Sequence, residues 1–428
     1  MKKTSHWIPL IATLLLTTVS CEKELFDQDI YNEFVDFQFM IDNVDREHMW
    51  CLTHSDTITL STNKEEIYTV QILTANPYTS AEAEIAAEGT IYLNKQQTGY
   101  EATLAYTLPI VQDQAFIAIK DMAGTYLGVA PFTIGTDAID LDQLAFEKRG
   151  TMNPAKRQTF SYVFDDGYPI PADFDYNDMV LRISKEYSKL SYQLYLTVSL
   201  EAVGTNKSYA GAIQLVGVNY DDVESVEIVD GTPMDEGYPF VRAALNSDKS
   251  LIKGRQGEAV IRLFENAHWA MEKELDAMGS VLPYIYNTER TEQEGRSKNN
   301  IPAVTRTYRI NFRSPNVARD LSFDQIDPFI VQEYNGGFWE THTYAYKFSE
   351  TIHSIYNGKQ SYYDNHISWS IIIPKSDFRY TVEGMSLGTY NVETGEVFGP
   401  YTSFAEWMKD HTQNNDWYLR IQYPQLLY

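Results

Sequence analysis

From Tyr192 to Leu200 the chain alternates without a break. Tyr192, Leu194, Leu196, Val198 and Leu200 share one face, and Gln193, Tyr195, Thr197 and Ser199 share the other. A period of two belongs to a β-strand with one face in a core. The same signature recurs in short pieces along the chain. Residues 35–39, 57–60 and 68–73 read as strands, and Asn76-Pro77 breaks the last of them. Residues 89–93 pair in this reading with 100–106 around 94–99, and 115–119 with 126–129 across the turn at 121–124. The polar, alanine-containing stretch 80–87 reads as one helical turn or a loop. Short strands at this spacing predict an immunoglobulin-like β-sandwich over 35–150. Residues 148–157, with Gly150, Pro154 and few apolar side chains, are the linker candidate. Aromatic content of 14%, with 31 tyrosines, leans the same way, because such side chains pack well on pleated surfaces.

Residues 158–428 read as a larger, β-sandwich-like domain with one or two helices. Strand 159–164 enters an acidic loop, 178–184 leaves it, and 212–216 and 223–229 continue the sheet. Residues 305–312, 329–331, 341–348 and 368–373 are further strands. Leu263, Phe264, Ala267, His268, Met271, Leu275 and Met278 recur at three and four, and Gly279 follows as a stop, which predicts a helix. His268 on its apolar edge reads as a packed histidine. The charged run 288–300 lacks periodicity and reads as a mobile loop. Ser403 and Glu406 form a capping-box pattern opening a short helix, with Phe404, Trp407 and Met408 to dock it.

The loop between 164 and 180 carries Asp165, Asp166, Asp173, Asp175, Asn177 and Asp178. Calcium takes six to eight oxygens from carboxylates, amides, backbone carbonyls and water. In Asp173-x-Asp175-x-Asn177 the acceptors alternate with Phe174 and Tyr176. In an extended or gently turning loop alternate side chains point the same way, so the oxygens converge while the rings pack inward. Asp178 adds a carboxylate, and Asp165 and Asp166 close the site from the strand end. Gly167, Pro169 and Pro171 suit a stiff connection. An EF-hand is excluded: Asp178 stands where that loop needs Gly, and Ser184 where it needs Glu. The alternative is a solvated turn whose side chains cap the backbone. Five aspartates this close repel one another unless a cation neutralises them.

The formal charge of −25 argues against nucleic acid and against electrostatic binding to anionic lipid. At the N-terminus, Lys2 and Lys3 precede a short apolar run, 8–19, that is short for a bilayer span. Thr17-Thr18-Val19-Ser20-Cys21 resembles a bacterial lipobox, with Thr18 where Leu is usual. On that resemblance 1–20 is a lipoprotein signal peptide, Cys21 carries outer-membrane lipid, and 21–34 is a tether. The alternative is an ordinary secretory signal. Glu22-Lys23-Glu24-Leu25-Phe26-Asp27 is similar to the surface-export signal of Bacteroidetes lipoproteins, which implies an outward-facing outer-membrane protein. Cys51 is the other cysteine; with Cys21 acylated no intrachain disulfide forms. Within Met49-Trp50-Cys51-Leu52 it reads as a buried structural thiol.

Three stretches of the second domain resemble the LruC domain family, whose C-terminal part is a domain of unknown function. Val163-Phe164-Asp165-Asp166 with Asp173-Phe174-Asp175-Tyr176-Asn177-Asp178-Met179-Val180 is similar to its acidic signature. Ala212-Ile213-Gln214-Leu215-Val216-Gly217 is similar to one strand. Residues 367–374, Phe378-Arg379-Tyr380, Phe404-Ala405-Glu406-Trp407 and Asp416-Trp417-Tyr418 are similar to its closing pattern. Asp165 replaces the usual Glu, and Val216 the usual Pro. The resemblance implies an envelope lipoprotein of Bacteroidetes type and no established reaction.

Catalytic signals are sparse. Gly384-Met385-Ser386-Leu387-Gly388 fits G-x-S-x-G, but a hairpin reading of 389–397 removes the strand-to-helix turn that a nucleophile elbow needs. No H-E-x-x-H, P-loop or paired C-x-x-C occurs. Two functions follow. One is a non-catalytic surface lipoprotein, a calcium-stabilised binding, adhesion or scaffold module facing extracellular glycan or protein, whose acidic loop is shielded and without a deep cleft. The other is a secreted hydrolase of glycans or peptides, with a concave pocket and two convergent carboxylates of perturbed pKa.

Overall fold

In the computed structural model, residues 44–64, 68–93, 100–149, 151–166, 173–187, 192–239, 244–245, 247–314, 321–334, 336–354, 367–390 and 397–428 are described. The expected signal peptide over 1–20, Cys21, the expected tether over 21–34, the expected strand at 35–39 and Gly167, Pro169 and Pro171 lie outside them. The first eight strands are β1 (Thr53–Thr62), β2 (Tyr68–Leu73), β3 (Glu84–Leu93), β4 (Tyr100–Pro109), β5 (Gln114–Lys120), β6 (Tyr126–Thr133), β7 (Ala138–Asp140) and β8 (Lys156–Arg157). They run in the order β6-β5-β2-β3-β4-β1-β7, with β8 added beside β3. Strands β3 and β4 pair only at Tyr92–Glu101 and Leu93–Tyr100, where the sheet folds over on itself. Ile58, Leu60, Leu104 and Tyr106 on one side thus meet Val70, Ile72, Ile117 and Phe132 on the other in one core.

The remaining strands are β9 (Thr159–Phe164), β10 (Met179–Tyr187), β11 (Gln193–Ala202), β12 (Tyr209–Asn219), β13 (Val223–Ile228), β14 (Leu251–Lys253), β15 (Glu258–Phe264), β16 (Ile285–Tyr286), β17 (Ser297–Lys298), β18 (Val304–Phe312), β19 (Ile326–Tyr334), β20 (Gly337–Thr341), β21 (Ser370–Ile373), β22 (Thr389–Tyr390) and β23 (Val397–Phe398). A six-stranded sheet, β13-β18-β11-β10-β9-β21, faces a five-stranded one, β14-β15-β12-β19-β20. Phe160, Tyr162 and Phe164 of β9, Met179, Leu181 and Ile183 of β10, and Ile213 and Leu215 of β12 fill the space between them. The intervening residues are also apolar: Val163, Val180, Ile371 and Ile373 point to the outer face of the six-stranded sheet. That face is covered by Trp369, Phe378, Tyr401, Phe404, Trp407 and Trp417. A sheet covered on both faces explains strands that read as continuous apolar runs.

Val44, Trp50 and Leu52, ahead of the first sheet, belong to this aromatic layer. The Trp50 ring meets Trp407 edge-on at 5.5 Å. His48 accepts from the Trp50 N–H through Nδ1 at 2.8 Å, so its Nε2 donates to Trp407 O at 3.1 Å. The first sheet joins the second body through Gln158, whose amide donates to Thr107 O, and through Phe323 N, which donates to Thr107 Oγ1.

The architecture is mainly β, with two α-helices among the described residues, α1 (Ala267–Met271) and α2 (Ser403–Lys409). Several local expectations need correction. The helix expected over 263–278 shrinks to α1, capped by Asn266, whose side chain accepts from Trp269 N. Leu263 and Phe264 complete β15 instead, and Leu275 and Met278 are exposed. Ladder pairing in a covered sheet outweighs a helical spacing that only one turn satisfies. Residues 212–216 lie in the facing sheet, not beside 223–228. The stretch 80–87 runs into β3, where Ala86 and Ala87 are buried. The strand expected at 341–348 stops at Thr341; Asp327 accepts from Thr343 N and Oγ1 and turns the chain into the single 3-10 turn Tyr344–Tyr346. Within 288–300, β17 pairs in parallel with β16. The capping box at Ser403 is absent: Thr402 is the N-cap, without a side-chain bond, though Phe404, Trp407 and Met408 are buried as expected. Cys51 is exposed, and its thiol donates to Thr53 O at 2.7 Å.

Candidate metal centre

Strand β9 ends at Phe164 and β10 begins at Met179, and these two residues are paired. The acidic loop is therefore the mouth of a hairpin at the centre of the second body. Asp165 is fixed as its N–H donates to Trp369 O at 3.0 Å. Residues 173–178 are not extended. Phe174 and Tyr176 have φ of 54° and 52°, the left-handed region that bulky side chains avoid. Each such residue costs roughly 1–2 kcal/mol. Both rings are fully buried. Phe174 stacks on Trp369 at 5.5 Å, and the Tyr176 hydroxyl donates to Ser368 O at 2.7 Å. Burying such a ring contributes roughly 1.5–3 kcal/mol, and an aromatic pair about 0.5–1.5 kcal/mol more, enough to offset the strained turns. Alternate carboxylates converge as expected, but on a coiled chain.

Asp165, Asp173, Asp175 and Asp178 each offer a carboxylate oxygen, and these four oxygens lie within 4.8 Å of one another. Asp165, Asp175 and Asp178 are buried, and Asp173 is partly so. Asp175 accepts from Asn177 N at 3.1 Å, from Asn177 Nδ2 at 2.8 Å and from Gly384 N at 2.8 Å. Asn177 Nδ2 also donates to Thr381 O at 3.2 Å, and the Thr381 hydroxyl donates to Asp175 O at 2.5 Å. Asp178 accepts from Asp166 N at 2.6 Å. Gly204 N donates to the carbonyls of Asn177 and Asp178, both at 3.1 Å. Asp166 stands beside the cluster, paired with Lys207 at 2.7 Å and accepting from the Thr205 hydroxyl at 2.5 Å. The Asn177 amide oxygen is buried with no hydrogen-bond donor among the described residues, and it lies against Gly204.

The cluster opens on a cleft of about 610 Å3 lined by Asp173, Asp178, Asp166, Glu383, Thr205 and Arg296, among others. Burial first, then Asp173 and Glu383, push the Asp175 carboxyl well above its ordinary range. Burial, then Asp166 and Asp175, do the same to Asp178. Asp173 is raised by burial and then by Asp166. Glu383 is pushed up to about 8 by burial, then by Asp173, Glu289 and Asp166. These carboxylates cannot all hold their charge in so small a volume without a counter-charge.

Glu383, Thr381, Gly384 and Gly204 carry no sequence signal of a role here, since they reach the loop from 26 or more positions away. Gly384 opens the G-x-S-x-G match, yet its function is an N–H to Asp175. Ser386 in that match is buried and lies in no strand-to-helix turn.

An all-oxygen, carboxylate-rich donor set suits a hard cation and offers nothing to thiophilic metals. A calcium shell of 2.3–2.6 Å radius is roughly 4.6–5.2 Å across, and oxygens within 4.8 Å of one another fit inside it. Such an ion would neutralise the cluster and lock the hairpin mouth.

Residues 192–418 match a family described as a domain of unknown function, DUF4842. The matched range begins beyond the four aspartates and includes Gly204, Thr381 and Gly384, which hold their loop. No curated protein matches the chain. A crystal structure of a candidate lipoprotein from Bacteroides ovatus covers 84% of this chain and 98% of its own, at 14% identity and a TM-score of 0.47.

Proposed function

The chain belongs to the DUF4842 family, and on that premise we propose that it is a non-catalytic cell-envelope lipoprotein whose larger domain is stabilised by calcium. It serves as a binding, adhesion or scaffold module. The observation that carries this reading is the group of four aspartate oxygens within 4.8 Å at the mouth of the β9–β10 hairpin. Asp165, Asp173, Asp175 and Asp178 are the ligands, Asn177 orients Asp175, and Asp166 balances Lys207. Lipid anchoring at Cys21 in the outer membrane rests on the leader and lipobox-like residues 1–21 alone, and the finer LruC assignment on the motifs named above. The acidic charge supports partners other than nucleic acid.

A specific observation favours the second reading, a hydrolase: the loop borders an open cleft, and Glu383 is raised to about 8 beside Asp173. Burial raises it first and the neighbouring carboxylates next; a bound cation relieves that second cause, so the first reading accounts for the same carboxyls without a reaction.

Thermal melting with calcium and with chelator, beside Asp175→Ala, separates these readings. Extracellular calcium modules bind at about 10⁻⁴–10⁻³ M. At about 1 mM calcium, linkage then stabilises by up to about 1.5 kcal/mol, a shift of a few degrees. The expected result is a shift present in the native chain and absent in the variant. Equal melting in all conditions, with no ion found by elemental analysis, overturns the metal reading.

A further inference from the structure

The aspartate cluster is lopsided. Asp165 and Asp175 are turned wholly into the fold, whereas Asp173 and Asp178 border the cleft. Among the described residues, four carboxylates offering one oxygen each leave a cation that takes six to eight oxygens short of its complement. The open coordination positions therefore face the cleft. Its volume of about 610 Å3 lies within the range of roughly 300–1,000 Å3 that small-molecule sites occupy.

We propose that this cleft binds a neutral polyol, a sugar presenting vicinal hydroxyls, whose oxygens complete the coordination of the ion; this rests on the metal reading above. The charge pattern selects the class. Four carboxylates and one dication leave a net charge of about −2 at the floor. Arg296, the cation among the described lining residues, pairs with Glu289 at 3.4 Å, and Lys207, outside the lining, pairs with Asp166 at 2.7 Å. Glu383 adds a further carboxyl to the wall. A phosphate or carboxylate ligand meets net repulsion there, and a cationic ligand competes with the ion itself. A hydroxyl does neither, since it both donates and accepts. The wall supplies both roles: Asp166 and Glu383 accept, and Asn206 and Arg296 donate. A second, independent observation sits at Gly204 on the same wall. The Asn177 amide oxygen, buried behind that glycine and not itself lining the cleft, has no donor among the described residues, and native proteins seldom leave such an acceptor unused.

The test is calorimetry on the full chain, with about 2 mM calcium or with chelator, using methyl glycosides of glucose, galactose, mannose and fucose. Together these present the cis and trans vicinal diols of a pyranose ring. Inorganic phosphate and acetate serve as anion probes. The expected result is calcium-dependent binding of at least one glycoside and none of either anion. Arg296→Ala is expected to weaken the glycoside about tenfold, as loss of a hydrogen bond to a charged group does, while its calcium isotherm stays as in the native chain. Normal calcium binding with no glycoside bound, or glycoside binding unchanged in chelator, overturns the polyol assignment and leaves the metal centre standing. Tighter binding of phosphate or acetate does the same. Absence of calcium binding overturns both.

Discussion

Gly204→Ala tests the construction of the acidic loop at a residue that bears no charge. Gly204 is not in the left-handed region; it is needed for close approach. A Cβ there would stand 1.9 Å from Asn177 Oδ1, 2.7 Å from Asn177 O and 2.9 Å from Asn177 C, against a practical minimum of 3.0 Å. The side-chain oxygen can swing aside, but the carbonyl cannot without moving the loop. Swinging the amide breaks its bonds to Asp175 and Thr381. Overpacking of this kind costs roughly 1–3 kcal/mol, and two lost hydrogen bonds add about 1 kcal/mol each. The sum lowers the melting temperature by on the order of 10 °C in chelator. Because Asp175 loses its positioning, the calcium-induced shift should also shrink toward zero. Circular-dichroism melting with and without calcium reads both effects. A variant melting within about 1 °C of the native chain in chelator, and still responding fully to calcium, would refute the account of how Asn177 and Gly204 hold the loop.

Two further predictions concern histidines. His342 is fully buried, with Nδ1 at 2.6 Å from Asp327 and Nε2 at 3.2 Å from Glu340. Burial alone would pull its imidazole down, but Asp327 and then Glu340 outweigh burial and raise it to about 9. Its contribution to stability is thus full below about pH 6.5 and lost as pH rises through about 9. Side-chain NMR should show one imidazole charged through the neutral range and releasing its proton near pH 9; titration near pH 6.5 contradicts this. His48 is the reverse case: burial pulls it down to about 4. Its contribution is full above about pH 6.5 and lost as pH falls toward 4. His48→Asn should flatten the acid-side loss of stability in urea melts followed by tryptophan fluorescence, and an unchanged slope rejects the assignment.

Much of the fold was legible because burial imposes a period on strands. The alternation read over 192–200 is β11 from Gln193 on, with Tyr192 exposed ahead of it, and the turn at 121–124 joins β5 to β6 as read. What failed was local inference where long-range pairing decided the outcome. Residues 263–278 offer a helical spacing, but the partners of Leu263 and Phe264 lie across a sheet in β12 and in the core between sheets. Ala86 and Ala87 favour helix locally, yet they are buried in a strand paired to β2. Propensity differences of about 1 kcal/mol or less per residue are smaller than what such burial supplies.

The sequence by itself determined the ligand chemistry: six carboxyl or amide side chains between two strands can serve only hard cations or backbone caps. It also placed that group at a hairpin mouth, because the flanking residues alternate as strands. Only the tertiary structure decided which four carboxylates meet, that Asp166 turns aside to Lys207, and that Phe174 and Tyr176 adopt left-handed backbone to bring the others together. Those outcomes depend on Gly204, Trp369, Thr381 and Gly384, which approach from distant segments. Local spacing fixes which atoms are available, whereas convergence within 4.8 Å requires strain that only a packed core can hold.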